Sequence, residues 1–433
     1  MRLKPKAIIP TVENPFEKDL LKREQYANVL SQIVKNSEGS FTLSINAPWG
    51  YGKTTFVKMW EASLQNEGYK TIYFNAWETD FVADPMMALI DGLRDGFESA
   101  DLPQEKLQKL SALWDVIIDI AALLPTPNAQ MIGGAAKAVK KGVCSLLKDK
   151  NQLQKHQSYR QLIKDFKDQL TELAKELSGD KQLIIFVDEL DRCRPDYAVQ
   201  MMERIKHFFE IDNIIFVLSI DKKVISESIK TVYGDIDVAG YLRRFVDLEF
   251  DLPEPEIDSF IEALYSQRLH EYILHNKSYL EAWNRQKSEI EIPFFLTKFL
   301  NSTCHRSLRD IEKYFNLLEI VLRSSTPNAD SFIYIMYFTY MYIFNKDMYF
   351  TFKNRQYSIE QLWSDLITMV DIPYEQKDKL LDVHMSNILD IYTYYVADLK
   401  DSVASKKSDP IYLSDMSEDY NCQFINDPYR EIV

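Results

Sequence analysis

Lysine and threonine placed directly after a glycine, at Gly52-Lys53-Thr54, are the residues of this chain best suited to hold phosphate. They close the segment Ala47-Pro48-Trp49-Gly50-Tyr51-Gly52-Lys53-Thr54-Thr55, which follows the alternating run Phe41-Thr42-Leu43-Ser44-Ile45-Asn46. Phe56, Met59, Trp60 and Leu64 then recur at helical spacing, which predicts a helix over about 53–66. A strand that turns through glycines into a helix points loop N–H groups, and the positive end of the helix, at a triphosphate. Lys53 would reach the outer phosphates and the Thr54 hydroxyl would sit on Mg²⁺. Trp49, Gly50, Tyr51, Gly52 and Thr55 would complete the cradle. The usual pattern has a further glycine where Ala47 stands, so the start of the loop is expected to depart from the common form.

Hydrolysis also needs a carboxylate for the metal and a group that prepares water. Leu183-Ile184-Ile185-Phe186-Val187 reads as a strand buried on both faces of a parallel sheet, and it ends in Asp188-Glu189. Ligands of open α/β sheets bind at that end of the strands. Asp188 would hold the metal through its shell, and Glu189 would orient or deprotonate water. Capping of the loop after a buried strand would explain one acid, but explains a pair less well.

The continuation Asp188-Glu189-Leu190-Asp191-Arg192-Cys193-Arg194-Pro195 resembles the KAP family of P-loop NTPases. So do the segment from Asp19 to Ala27 with Leu30, read as an N-terminal helix, the tryptophan-containing loop Pro48-Trp49-Gly50, and Phe74-Asn75-Ala76-Trp77. Further along, Ile214 to Asp221, Tyr241-Leu242-Arg243-Arg244, Phe250-Asp251-Leu252-Pro253 and Leu308 to Asn316 follow in the family's order, so that the resemblance spans about 15–325. It departs at Ala47, at Arg244 where lysine is usual, and in having no clear transmembrane helices between loop and acid pair. The resemblance implies an ATP-hydrolysing core that uses Mg²⁺. Ser219 or Asp221 would sense the γ-phosphate, Arg309 would face it from a helical lid, and Arg243 or Arg244 would serve a neighbouring subunit as an arginine finger. Prokaryotic members that exclude phage make anti-phage defence the implied setting.

These elements predict an α/β P-loop NTPase core with a parallel sheet, a helical insert between the two halves of the site, and an α-helical C-terminal region. The expected divisions are an N-terminal helical segment (1–40), the core (41–253) with its insert at about 104–178, a lid and C-terminal domain (254–400), and a polar acidic tail (401–433). The apolar run 112–124 is shorter than the roughly 20 residues of a spanning helix, and it contains Asp115 and Asp119. Between Lys137 and Lys167 nine basic residues face two acidic ones, in a chain of net charge −14. That insert reads as a hairpin packed on the core, as a membrane-surface helix through 111–150, or as a contact for a partner. The uncharged run 332–344 reads as a buried helix or an oligomer contact.

The 433 residues carry 46% hydrophobic and 27% charged side chains, as expected of a globular protein. Four dispersed cysteines and no signal-peptide pattern point to a reducing, cytoplasmic setting, and the six histidines have no metal-ligand spacing. The acidic balance disfavours nucleic acid as a general partner. Three classes of function remain: an ATPase switch acting on a protein partner or on further copies of itself, a nucleotide-binding scaffold with slow or no hydrolysis, and a nucleic-acid motor.

Overall fold

The computed structural model describes residues 9–98, 152–275, 300, 307–324 and 331–358, short of 83, 210 and 355, together with 361, 362 and 365. The apolar and basic stretches of the insert up to 151, and the tail 401–433, lie outside the described residues. The chain divides into two compact units between Glu254 and Pro255.

The first unit is built on five parallel strands: β1 (Phe41–Asn46), β2 (Lys70–Asn75), β3 (Leu183–Asp188), β4 (Ile214–Ile220) and β5 (Leu248–Asp251). Their order is β2-β3-β4-β1-β5, so one strand separates the phosphate-loop strand from the acid-pair strand. Parallel strands need crossovers, and the crossover helices cover both faces of the sheet. Strand β3 shows how: Leu183, Ile185 and Val187 enter one apolar cluster, while Ile184 and Phe186 enter another. The second cluster holds α1 (Glu24–Asn36) and α2 (Lys53–Asn66) against the sheet through Ala27, Leu30, Val34, Phe56, Trp60 and Leu64. Trp60 is fully buried, with its ring edge-on to Phe186 at 5.4 Å and its indole N–H donating to Ser31 Oγ at 3.0 Å. Burial of such a side chain contributes on the order of 2–3 kcal/mol.

The other face carries α3 (Pro85–Glu98), α4 (Gln152–Ser178), α5 (Pro195–Phe209) and α6 (Lys222–Tyr233), with the short α7 (Val238–Leu242) beyond them. Helix α3 lies unusually close to β2. A Cβ on Gly92 would stand 2.5 Å from the Phe74 ring, and one on Gly96 would stand 2.8 Å from Ile72. This approach holds the end of β2, and with it Asn75, beside β3.

Helix α1 begins at Glu24 rather than at Asp19, where the resemblance set its start. Asp19 stays outside, and its carboxylate accepts the N–H groups of Leu21, Arg23 and Glu24, gathering the turn that leads into the helix, whose N-cap is Arg23.

The second unit is helical in its described residues: α8 (Ile257–Arg268), α9 (His270–His275), α10 (Leu308–Ser324), α11 (Ser331–Phe344) and α12 (Lys346–Lys353). Ile311, Phe315, Leu318 and Leu322 form a buried stripe on α10. Ile335, Met336, Tyr337, Tyr340 and Met341 of α11 are buried too, so the uncharged run is a core helix. Among the described residues, no helix is long and apolar enough to cross a membrane.

Candidate functional site

The strands present their carboxyl ends as one row. Asn75 is level with Asp188, and Asn46 is level with both Ile220 and Asp251. The loop after β1 crosses this row. Gly50 and Gly52 both take left-handed backbone, at φ 82° and 79°, a conformation that glycine adopts without the steric cost of a side chain. Gly52 ends the loop at the N-terminus of α2 with no side-chain cap, which leaves first-turn N–H groups open to an anion. Thr54 and Thr55 are half-buried on that turn. Ala47 is absent from the left-handed positions; its methyl is buried in the core and its N–H donates to the Ile220 carbonyl. The position tolerates a side chain because the two sharp bends of the loop fall later.

Lys53 is buried at the base of the loop. Its ammonium donates to the Ala47 carbonyl at 2.5 Å and lies 3.5 Å from Asp191 Oδ2. The same Asp191 oxygen accepts the Trp49 indole N–H at 2.6 Å and the Asp221 backbone N–H at 3.0 Å. One buried carboxylate therefore ties together the phosphate loop, the acid turn and the end of β4. Asp191 was visible in sequence only as part of a family pattern and carried no role there. Its position, three residues after Asp188 at the end of a buried strand, was the available signal.

Asp188 is 1% exposed, and its carboxylate accepts the Glu189 N–H at 2.8 Å and the Tyr73 hydroxyl at 2.7 Å. Burial, and then Asp188 itself, push the Tyr73 phenol far up, so it stays a proton donor. Tyr73 is a site residue that sequence reasoning missed, because its contact arises from strand pairing. Both partners of Asp188 are uncharged, which leaves a buried carboxylate suited to a cation or to its bound water. Among the described residues, no three His, Cys, Asp or Glu side chains converge on a metal. An oxygen set limited to Thr54 and Asp188 suits Mg²⁺, which takes most of its ligands from phosphate and water.

Glu189 is half-buried, and its backbone is left-handed at φ 60°. The carboxylate pairs with Arg192 at 3.0 Å and lies 3.5 Å from the Asn75 amide. Burial raises its pKa above the ordinary glutamate value, Arg192 opposes the rise, and Asp188 and Asp191 add to it. Arg192 also stacks over the half-exposed Trp77 ring at 5.7 Å. Behind this turn Cys193 is buried, with its thiol pushed up to about 12 by that burial, so it is inert near neutral pH.

The remaining candidates are distributed. Ser219 is 1% exposed on β4, one step beyond Leu218, the partner of Val187, and its Oγ has no hydrogen-bond partner among the described residues. The Asp221 carboxylate is committed to the N-cap of α6, accepting from Lys223 and Val224. Arg243 and Arg244 are exposed side by side after α7. Arg309 belongs to the second unit, exposed on the first turn of α10, where with Arg268 it lowers a Glu312 pKa that burial raises.

The fold and this edge define a P-loop NTPase core. The chain matches the KAP family P-loop domain over residues 23–325, and it belongs to that family. Over 109 residues it is 26% identical to the phage T7 exclusion protein of Escherichia coli (strain K12), covering 22% of this chain and 15% of that one. It is 39% identical over 56 residues to an uncharacterised protein of Methanocaldococcus jannaschii, covering 13% of this chain and 29% of that one. The chain thus spans less than a third of either relative. Among solved structures it is similar to the Aeropyrum pernix ORC2 protein in ADPNP–ADP complexes, at TM-score 0.38 and 12% identity, covering 84% of this chain and 77% of that one. A DNA polymerase III gamma subunit-related protein of Thermotoga maritima aligns at TM-score 0.28 and 13% identity, covering 84% and 98% respectively.

Proposed function

We propose that this chain binds ATP with Mg²⁺ at the carboxyl edge of the sheet, hydrolyses it, and uses the cycle as a conformational switch. The observation that carries the reading is the convergence on one row of a buried lysine, a left-handed glycine loop, the buried Asp188 and the half-buried Glu189 beside it. Loop N–H groups and Lys53 would bind the phosphates. Thr54 and Asp188 would hold Mg²⁺, which offsets charge on the β- and γ-phosphates. Glu189, with its raised pKa, would take a proton from the attacking water or orient it. The unpartnered Ser219 hydroxyl supports it, over Asp221, as the group that reads the γ-phosphate. Arg309, Arg243 and Arg244 are proposed as lid and finger arginines on the family resemblance.

ATP turnover and binding are the test, in the wild type, Lys53→Ala and Glu189→Gln. Lys53→Ala should lose binding, while Glu189→Gln should bind and turn over roughly 10²- to 10⁴-fold more slowly. Binding without turnover in the wild type would favour the scaffold reading. Strong stimulation by added DNA would favour a nucleic-acid motor. The likeness to a phage exclusion protein suggests a defence role, which plaque counts on cells carrying wild type or Lys53→Ala would check.

A further inference from the structure

Arg23 is a buried charged residue that the mechanism does not use. It is 3% exposed, and it spends its guanidinium on two main-chain carbonyls. One arm donates to the Tyr51 carbonyl in the phosphate loop at 2.6 Å, and the other donates to the Pro253 carbonyl at 3.3 Å. Burial lowers its pKa to about 10, and the Asp19 charge opposes that fall, so it remains a cation at neutral pH. A buried guanidinium is costly to desolvate, and its hydrogen bonds to the two carbonyls offset part of that cost.

Tyr51 and Gly52 share one rigid plane, in which the Tyr51 carbonyl and the Gly52 N–H point in opposite directions. Gly52 is left-handed at φ 79°, and a glycine at that position has little conformational preference of its own. Something else must decide which way this peptide faces. Arg23 draws the carbonyl toward the start of α1 and the chain just after β5. By the planarity of the peptide, the Gly52 N–H then points away from Arg23, at the N-terminus of α2.

We propose that Arg23 is a positioning residue for nucleotide binding: by holding the Tyr51 carbonyl to itself it sets the Gly52 N–H, on the opposite side of the peptide, as a phosphate donor. The second arm ties this setting to Pro253, two residues before the second unit begins at Pro255. Ordering of the loop by a triphosphate would therefore tighten the chain at the exit of β5. The proposal rests on the ATP-binding reading above.

The test is steady-state kinetics and direct MgATP binding with Arg23→Lys, which keeps the charge but loses the two-armed fork. The KM and Kd for MgATP should rise roughly tenfold or more, the worth of one oriented hydrogen bond to a charged group, with kcat at saturation unchanged. Hydrogen exchange of peptides spanning 47–56 and 250–256 should slow on MgATP addition in the wild type and lose that common response in the variant. An unchanged KM in a folded variant overturns the proposal. So does a loss of thermal stability or of kcat without a change in KM, which would mark Arg23 as structural only. If Arg23→Lys does not fold, Arg23→Gln, which keeps one planar donor, is judged by the same split. A wild type that binds no MgATP overturns the site reading itself, whereas a binding wild type with an equally binding variant overturns only the role of Arg23.

Discussion

The phosphate loop after β1 and the acid turn after β3 leave the same edge of the sheet, and each reaches left-handed backbone by a different route. The loop does so at Gly50 and Gly52, where no side chain is strained. Its functional surface is main chain, and its shape is held by groups outside it: Arg23 on the Tyr51 carbonyl and Asp191 on the Trp49 indole. The acid turn does so at Glu189 itself. A side chain there costs about 1–2 kcal/mol, and the turn holds the position with an Arg192 N–H on the Glu189 carbonyl and the Glu189 N–H on Asp188. Strain of this kind gathers at functional residues, because it fixes a side chain in a direction that relaxed backbone would not choose. What the phosphate loop offers is thus main-chain amides. What the acid turn offers is particular side chains.

The tie between the two is Asp191, and breaking it should have the largest effect of three expected here. Asp191→Asn removes the charge facing Lys53 while keeping an acceptor for Trp49 and Asp221. Loss of one buried charge-assisted contact of this type amounts to roughly 2 kcal/mol, seen as a lower midpoint in chemical denaturation. Tryptophan fluorescence should also change, and in a Trp49→Phe background that part of the change should vanish. A variant as stable as wild type would mean that the loop and the acid turn are held independently.

Strand β3 was readable in the sequence as a short apolar run that ends in acids, β1 as an alternating run, and helix α2 because its apolar residues repeat at 3.6. By contrast, β2 (Lys70–Asn75) and β5 (Leu248–Asp251) are not apolar runs and were approached only through the family resemblance. The acid pair was readable because two carboxylates at the end of a buried strand have few structural uses. The contacts that unite the site were not. Asp191 meets Trp49 and Tyr73 meets Asp188 across more than a hundred residues, through a strand order that no spacing within one motif reveals. Arg23 stood in a segment read as a helix, yet it falls just ahead of it as the N-cap residue of α1, with its backbone N–H on Asp19 and its guanidinium on the loop. Ala47 was read as a departure that would alter the start of the loop. Its buried methyl shows that the demand for glycine lies at Gly50 and Gly52 instead.

A smaller effect tests the strain directly. Glu189→Gly and Glu189→Ala both delete the carboxylate and its contact with Arg192. They differ only in whether a Cβ must be held at φ 60°. Although glycine usually weakens a folded chain relative to alanine, here Glu189→Gly should be the more stable of the two by about 1 kcal/mol. The usual order, with alanine more stable, would show that the acid turn relaxes out of its left-handed conformation once the carboxylate is gone. The contrast with the glycine loop would then lie in the side chain and not in the backbone.

The smallest effect concerns protons. In the proposed role Glu189 takes a proton from water and must be deprotonated, so turnover at saturating MgATP should fall as pH drops through its pKa. Burial places that acidic limb above the ordinary glutamate range. Arg192 at 3.0 Å holds the limb down. Arg192→Met removes this opposing charge, so the limb should move to higher pH, while Asp191→Asn removes a nearby negative charge and should move it lower. Stability follows the same sign. A folded-state pKa above the unfolded one means that the folded chain keeps its proton longer, so this group's contribution to stability falls as pH rises through the window between the two values. Arg192→Met should widen that window. The loop has no counterpart, because main-chain amides do not titrate in this range. A limb unmoved by either substitution would place the pH-sensitive group outside the acid turn and remove Glu189 as the residue that accepts the proton of water.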